Sequence, residues 1–167
     1  MESSINTYIW QQFGATLDML ENAITACSPE LWNEGSRFWY LSFHTIYWTD
    51  YYLSDQTPKE SDFTPPAPFT KSDFEYDAMP NRVYEKEELL QYLAYARQKL
   101  RDQLTRISPE ELLTKRFISE YKEFTLFELL LYNMRHVQHH TAQLNLLLRQ
   151  GINDAPKWVS RTAMPLY

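Results

Sequence analysis

Apolar positions recur along this chain at the three- and four-residue spacing of amphipathic helices, in four long stretches. From Ser4 to Ala26, the residues Ile9, Phe13, Leu17, Leu20 and Ile24 mark one face of a first helix. It stops at Ser28-Pro29, where Ser28 reads as the cap and Pro29 as the first position of a short further turn of helix, interrupted by Gly35. A second helix is predicted from near Ser36 to about Leu53, with Tyr40, Leu41, His44, Tyr47, Trp48 and Tyr51 along one side. The third runs from Glu85 to Ile107, turning Leu89, Leu93, Ala96, Leu100, Leu104 and Ile107 toward the core and Lys99, Arg101 and Asp102 toward water. Another Ser-Pro-Glu, at 108–110, ends it and echoes 28–30 as the same type of helix exit. Residues 114–124 partly alternate, predicting an extended arm. Thr125 and Glu128 have the form of a capping box that opens a fourth helix, and Gly151 is placed to close it as a C-terminal cap. One further turn is expected after Pro156.

Between the second and third helices, residues 54–84 carry Pro58, Pro65, Pro66, Pro68 and Pro80, which forbid a long regular helix. The stretch reads as a loop or a lid. A helix of roughly 18 residues is about 27 Å long, a distance that roughly 30 loop residues cover easily. The length therefore points to an all-α, four-helix bundle with up-down-down-up connectivity and a long crossover between helices two and three. Its aromatics Phe63, Phe69, Phe74 and Tyr76 fit either a cover that selects apolar substrates or a plain crossover.

Composition narrows the picture. The 167 residues suit one domain, 1–167, with a real core, and 3 glycines leave little room for phosphate-cradling loops. Net charge is −6 with lysine and arginine scattered, so nucleic acid is not an expected partner. The single Cys27 excludes an internal disulfide and a thiolate zinc cluster, and reads as a small buried residue at a helix end. Acidic Glu2 stands where a signal peptide would be basic, and no apolar run approaches a membrane span, so the expected location is cytoplasmic.

All 4 histidines of the chain, His44, His136, His139 and His140, fall on the second and fourth helices. On the fourth, the inward stripe counts as Leu126, Leu129, Leu130, Asn133, His136, Val137, His140, Leu144, Leu147 and Leu148. Histidines at i and i+4 share a face and can converge on one cation. His44, midway along the second helix, is the expected third ligand. Three neutral nitrogens leave open positions for water or substrate, as a catalytic rather than a structural site does. Imidazole suits zinc, nickel, iron and copper, and a divalent ion, zinc or nickel, is the expectation. Val137 stands where an HExxH protease motif puts its glutamate, and no Glu-x-x-His repeat is present for a di-iron centre, so the site is mononuclear. His139 faces roughly 60° away from the midline of the pair and reads as an outer-shell or surface residue. Asn133 and Gln143 lie within a turn of the histidines and can hydrogen-bond to them or brace the bundle. Asp18, Glu21 and Asp50 are general-base candidates, none assigned. Trp39, Tyr40 and Trp48 read as core or dimer-interface residues.

The segment from Asn133 to Asn145, NMRHVQHHTAQLN, with Leu-Leu-Leu-Arg149 after it, resembles the fourth-helix signature of the DinB-like superfamily. With His44 in an aromatic second helix and the order of the helices, the resemblance covers nearly the whole chain. It implies an up-down-down-up bundle, frequently a homodimer, with a divalent metal held by His44, His136 and His140. It also implies the activities of related proteins: transferases joining low-molecular-weight thiols such as bacillithiol to electrophiles, and a glutathione- or mycothiol-dependent maleylpyruvate isomerase. Three functions follow as expectations: a thiol S-transferase acting on a small molecule, a metal-dependent hydrolase working through an activated water, and a metal-binding or stress-related interaction protein without turnover.

Overall fold

The computed structural model describes residues 4–33, 38–54, 63–70, 82–119 and 121–167, and it is mostly helical. The elements are α1 (Ile5–Ala26), α2 (Pro29–Asn33), α3 (Phe38–Tyr52), α4 (Lys86–Arg106), α5 (Pro109–Thr114), β1 (Arg116–Ile118), β2 (Glu123–Thr125) and α6 (Leu126–Ile152). The two strands pair antiparallel, Phe117 opposite Phe124, so the alternating segment before the last helix is a small hairpin. Of the four long helices, α1 packs on α4 and α6, and α3 packs on the same two. No described helix is long and apolar enough to cross a membrane.

Local chemistry sets most of the ends. Ser4 accepts from the Thr7 amide at the start of α1. Thr125 and Glu128 close the expected capping box at the start of α6. Both Ser-Pro-Glu segments turn out to be helix starts: Ser28 accepts from the Leu31 amide, and Ser108 forms a capping box with Glu111 that opens α5. The second was expected only as an exit. Proline at N1 and serine at the cap serve the helix that follows, while the one before has already stopped at Arg106.

Three further expectations are corrected. Gly151 lies inside α6, where a Cβ would meet the Leu31 methyls at 3.1 Å; the cap is Asn153, in the left-handed region at φ 56°. Asparagine tolerates that conformation, so the helix runs two residues further. The segment after Pro156 forms no helical turn, because the helices hold it by its backbone in an irregular path with bends at 160–161 and 163–164. Trp10 Nε1 donates to Met164 O at 2.7 Å, Arg101 Nε to Leu166 O at 3.0 Å, and the Thr162 amide to Gln11 O at 3.1 Å. Finally, Lys99 does not simply face water: its Nζ reaches the Asp50 carboxylate at 2.6 Å.

The tail needs Gly14. A Cβ there would sit 2.6 Å from Thr162 Cγ2. Gly14→Val should loosen the tail and destabilise the fold by about 1–3 kcal/mol, as overpacking does. Urea unfolding and hydrogen exchange over residues 158–167 would read it, and unchanged protection there would refute the fit.

The face of α3 is only partly the one expected. Phe38, Trp39, Phe43, Ile46, Tyr47, Tyr51 and Tyr52 are its buried apolar residues, so Tyr47 and Tyr51 of the expected stripe are in the core, while Tyr40, Leu41, His44 and Trp48 are only half-buried. The helix is apolar almost all round, so its pattern does not single out a face. Phe63 and Phe69 sit in the core: Phe69 stacks on Tyr92 with centroids 4.4 Å apart, and Phe63 meets Tyr47 edge-on at 5.2 Å. These two are therefore core anchors of the crossover rather than a cover. Phe74 and Tyr76, and the expected helix start at Ser36, lie outside the described residues.

Candidate metal centre

His44 comes from the half-buried side of α3, His136 and His140 from successive turns of α6. Each offers one ring nitrogen, and these nitrogens all lie within 4.8 Å of one another. Ring centroids are 4.6 Å apart for His136 and His140, 4.9 Å for His44 and His140, and 5.5 Å for His44 and His136. Nitrogens bound to one tetrahedral ion at about 2.1 Å would be about 3.4 Å apart, so small ring rotations bring these three to a common centre. All three rings are half-buried, a little nearer the surface than a core stripe would place them.

Their electrostatics suit ligation. Burial first, then the fields of His140, His44 and His139, push the His136 ring down to about 3 from 6.5. Burial also lowers His140, opposed by its hydrogen bond with Gln143. Both rings are thus neutral at pH 7 and keep a lone pair to donate. Gln143 Oε1 lies 2.7 Å from His140 Nδ1. An amide oxygen only accepts, so Nδ1 carries the proton and Nε2 is the nitrogen left for a ligand. The buried Nδ1 of His136 has no hydrogen-bond partner. Three imidazoles with converging nitrogens, two of them held uncharged by burial, are a donor set that fits a borderline divalent cation.

A pH dependence follows. The His136 value in the fold lies below its unfolded value near 6.5, so the folded, metal-free chain binds fewer protons than the unfolded one. Its stability should be full above about pH 6.5 and fall as the pH drops toward 3, by up to about 1.4 kcal/mol per unit. Urea unfolding of metal-free protein at several pH values should show this slope in wild type and a shallower one in His136→Gln. Equal slopes would refute it.

Residues 12–144 match the DinB superfamily. The chain belongs to that superfamily. The match covers α1 to α6 as far as Leu144 and includes all three histidines. No curated protein and no solved structure matches the chain.

The remaining candidate residues of this DinB-superfamily chain separate by their contacts. His139 is exposed and touches the His140 ring edge-on at 5.0 Å. Asn133 is fully buried and donates through Nδ2 to Thr49 O at 3.0 Å, tying α6 to α3. Trp39 is buried, whereas Tyr40 and Trp48 flank His44 with centroids 6.5 and 6.4 Å away. Asp18 pairs with Arg97, and Glu21 bonds to the same guanidinium at 2.5 Å. Asp50 accepts from Lys99 and from the Tyr92 hydroxyl. The sequence reading missed both networks; the signal was there in Arg97, which shares one helical stripe with the core residues Leu93, Leu100 and Leu104. Cys27 is buried beside the end of α1, and burial raises its thiol to about 11, so it is no ready nucleophile.

Proposed function

We propose that this chain is a metal-dependent thiol S-transferase, in which His44, His136 and His140 hold a zinc or nickel ion between α3 and α6 of an up-down-down-up bundle. The carrying observation is the convergence of three ring nitrogens within 4.8 Å on two helices. Contacts between three pairs of helices support the connectivity. Asn6 reaches Leu104 O and Ile107 O while Lys86 reaches Cys27 O, as in helices running in opposite directions. Tyr84 lies beside Trp39, and Lys99 beside Asp50 and Ser54, as in helices running the same way. Thr49 meets Asn133 and His44 meets His140, again antiparallel.

A divalent ion held by His44, His136 and His140 would supply Lewis acidity, which would lower the pKa of a thiol bound to it. The chain's own residues do the rest. Burial keeps the His136 and His140 rings neutral, Gln143 fixes which nitrogen His140 presents, and the Tyr40 and Trp48 rings flank His44. In the reaction, sulfur forms a bond to an electrophilic carbon as the carbon's leaving group departs, and the thiol proton leaves with the displaced group. Thiol transfer is favoured over hydrolysis because the three carboxylates considered as bases are each engaged by a cation. A thiol, with a free pKa of about 8.5, needs less help from a base than water at about 15.7.

The test uses untagged protein loaded with zinc or nickel, bacillithiol or glutathione as donor, and monochlorobimane as electrophile. Thioether formation should exceed the protein-free background several-fold and vanish in His44→Ala. Background rates with every thiol, from protein shown to hold the metal, would sink the transfer reading.

A further inference from the structure

His136 Nδ1 and Asn133 Oδ1 are both buried, and neither has a hydrogen-bond partner. They stand three residues apart on α6, a spacing that puts side chains on neighbouring turns of one face. Helical side chains lean toward the N-terminus, so the His136 ring leans over the turn that carries Asn133, with Nδ1 as the ring nitrogen nearer the backbone. The orientation of the Asn133 amide is fixed independently. Its Nδ2 donates to Thr49 O at 3.0 Å, which turns the acceptor Oδ1 away from α3. Asn133 is 0 % exposed, so bulk water does not satisfy that oxygen. A buried acceptor and a buried ring nitrogen that donates only when protonated are complementary, and leaving each alone is unfavourable.

We propose that Asn133 is a positioning residue that holds His136 in its Nδ1–H tautomer, with Oδ1 accepting from Nδ1–H directly after a small ring rotation or through one bridging water. The tautomer is the same in either case. Nε2 then keeps its lone pair and faces His44 and His140. Across the site the same device appears in mirror order: Gln143, three residues after His140, accepts from the Nδ1 of that ring at 2.7 Å. One amide before the pair and one after it would present Nε2 from both turns of α6, and Asn133 would also lock that presentation to the backbone of α3, five residues from His44. The tautomer itself stands without any metal; its use in binding one rests on the metal-site reading above.

The experiment is a long-range proton–nitrogen NMR correlation of nitrogen-15-labelled, metal-free protein at pH 7.5, with His136 signals assigned by their loss in His136→Gln. Wild type should show His136 as the Nδ1–H tautomer. Asn133→Leu, which keeps the branching at Cγ and removes the acceptor, should shift it to a mixture or to Nε2–H and weaken zinc binding by about 10–100-fold. Asn133→Asp, which keeps an acceptor, should retain Nδ1–H. An Nε2–H tautomer in wild type would overturn the proposal even if Asn133→Leu fails to fold. So would an unchanged tautomer in a folded Asn133→Leu. The expected tautomer in a protein that binds neither zinc nor nickel would uphold the positioning role and sink the metal reading instead.

Discussion

Replacing any one of His44, His136 or His140 by alanine should lower the affinity for zinc by more than roughly 100-fold, while the helical circular dichroism persists. The magnitude follows from the ligand count. Three protein nitrogens are the minimum for a catalytic site with an open position, and losing one leaves a two-coordinate remnant. Removing only an outer partner of a ligand lowers affinity by about 10–100-fold, which is the expectation for Gln143→Ala, so removing a ligand must exceed that. The fold should survive because the three rings are half-buried at the edge of the α3–α6 contact, and the core around them is closed by Phe43, Ile46, Val137 and Leu144. His139→Ala is the internal control. It is exposed, and its contact is with the edge of one ring, so its loss should change affinity less than about 10-fold. Elemental mass spectrometry of untagged protein, followed by competition against a chromophoric chelator, would measure all five variants. Metal retained by His44→Ala and His140→Ala alike would show that the histidine cluster is not the binding site.

How much of this centre could be read from the sequence depended on periodicity. α6 is amphipathic over its whole length, so counting threes and fours put His136 and His140 on one face with Leu129, Leu144 and Leu148 without any coordinates. α3 gave no such guide. With aromatic or β-branched residues on nearly every side, it has no polar face to set its rotation, and of the expected stripe Tyr47 and Tyr51 are buried while Tyr40, Leu41, His44 and Trp48 are half-buried. His44 was found because it is the only histidine off α6 and sits midway along an aromatic stripe, although that stripe is not the buried face throughout. The helix ends followed local rules where a side chain supplied the cap, as at Ser28 and Thr125. They failed where a distant residue intervened, as Leu31 does at Gly151. The tail was illegible for the same reason. Its conformation is set by Trp10, Gln11 and Arg101, more than fifty residues away along the chain, and no window on residues 155–167 contains them.

The buried charge on α3 gives the largest expected loss of stability. Asp50 is 1 % exposed, accepts from Lys99 Nζ at 2.6 Å and from the Tyr92 hydroxyl at 2.9 Å, and so pins α3 to α4. Burial, reinforced by the neighbouring carboxylate, raises the Tyr92 hydroxyl far above the ordinary phenol range, so Tyr92 remains a donor at every working pH. Its ring stacks on Phe69, which carries the same contact into the crossover. Asp50→Ala leaves the Tyr92 hydroxyl buried without its acceptor and leaves Lys99 Nζ to Asp50 O and Ser54 Oγ, and breaking a buried pair from one side is unfavourable by about 3–5 kcal/mol. For a chain of this size that lowers the melting temperature by about 10 °C. Asp50→Asn keeps an acceptor for Tyr92 and should lose only roughly 1–3 kcal/mol. Zinc affinity should change less than about 3-fold in both, because Asp50 has no hydrogen bond to the histidines, and urea titrations read beside chelator competition would separate the two effects. An Asp50→Ala protein as stable as wild type but without turnover would make this carboxylate a base in the reaction and not a strut between two helices.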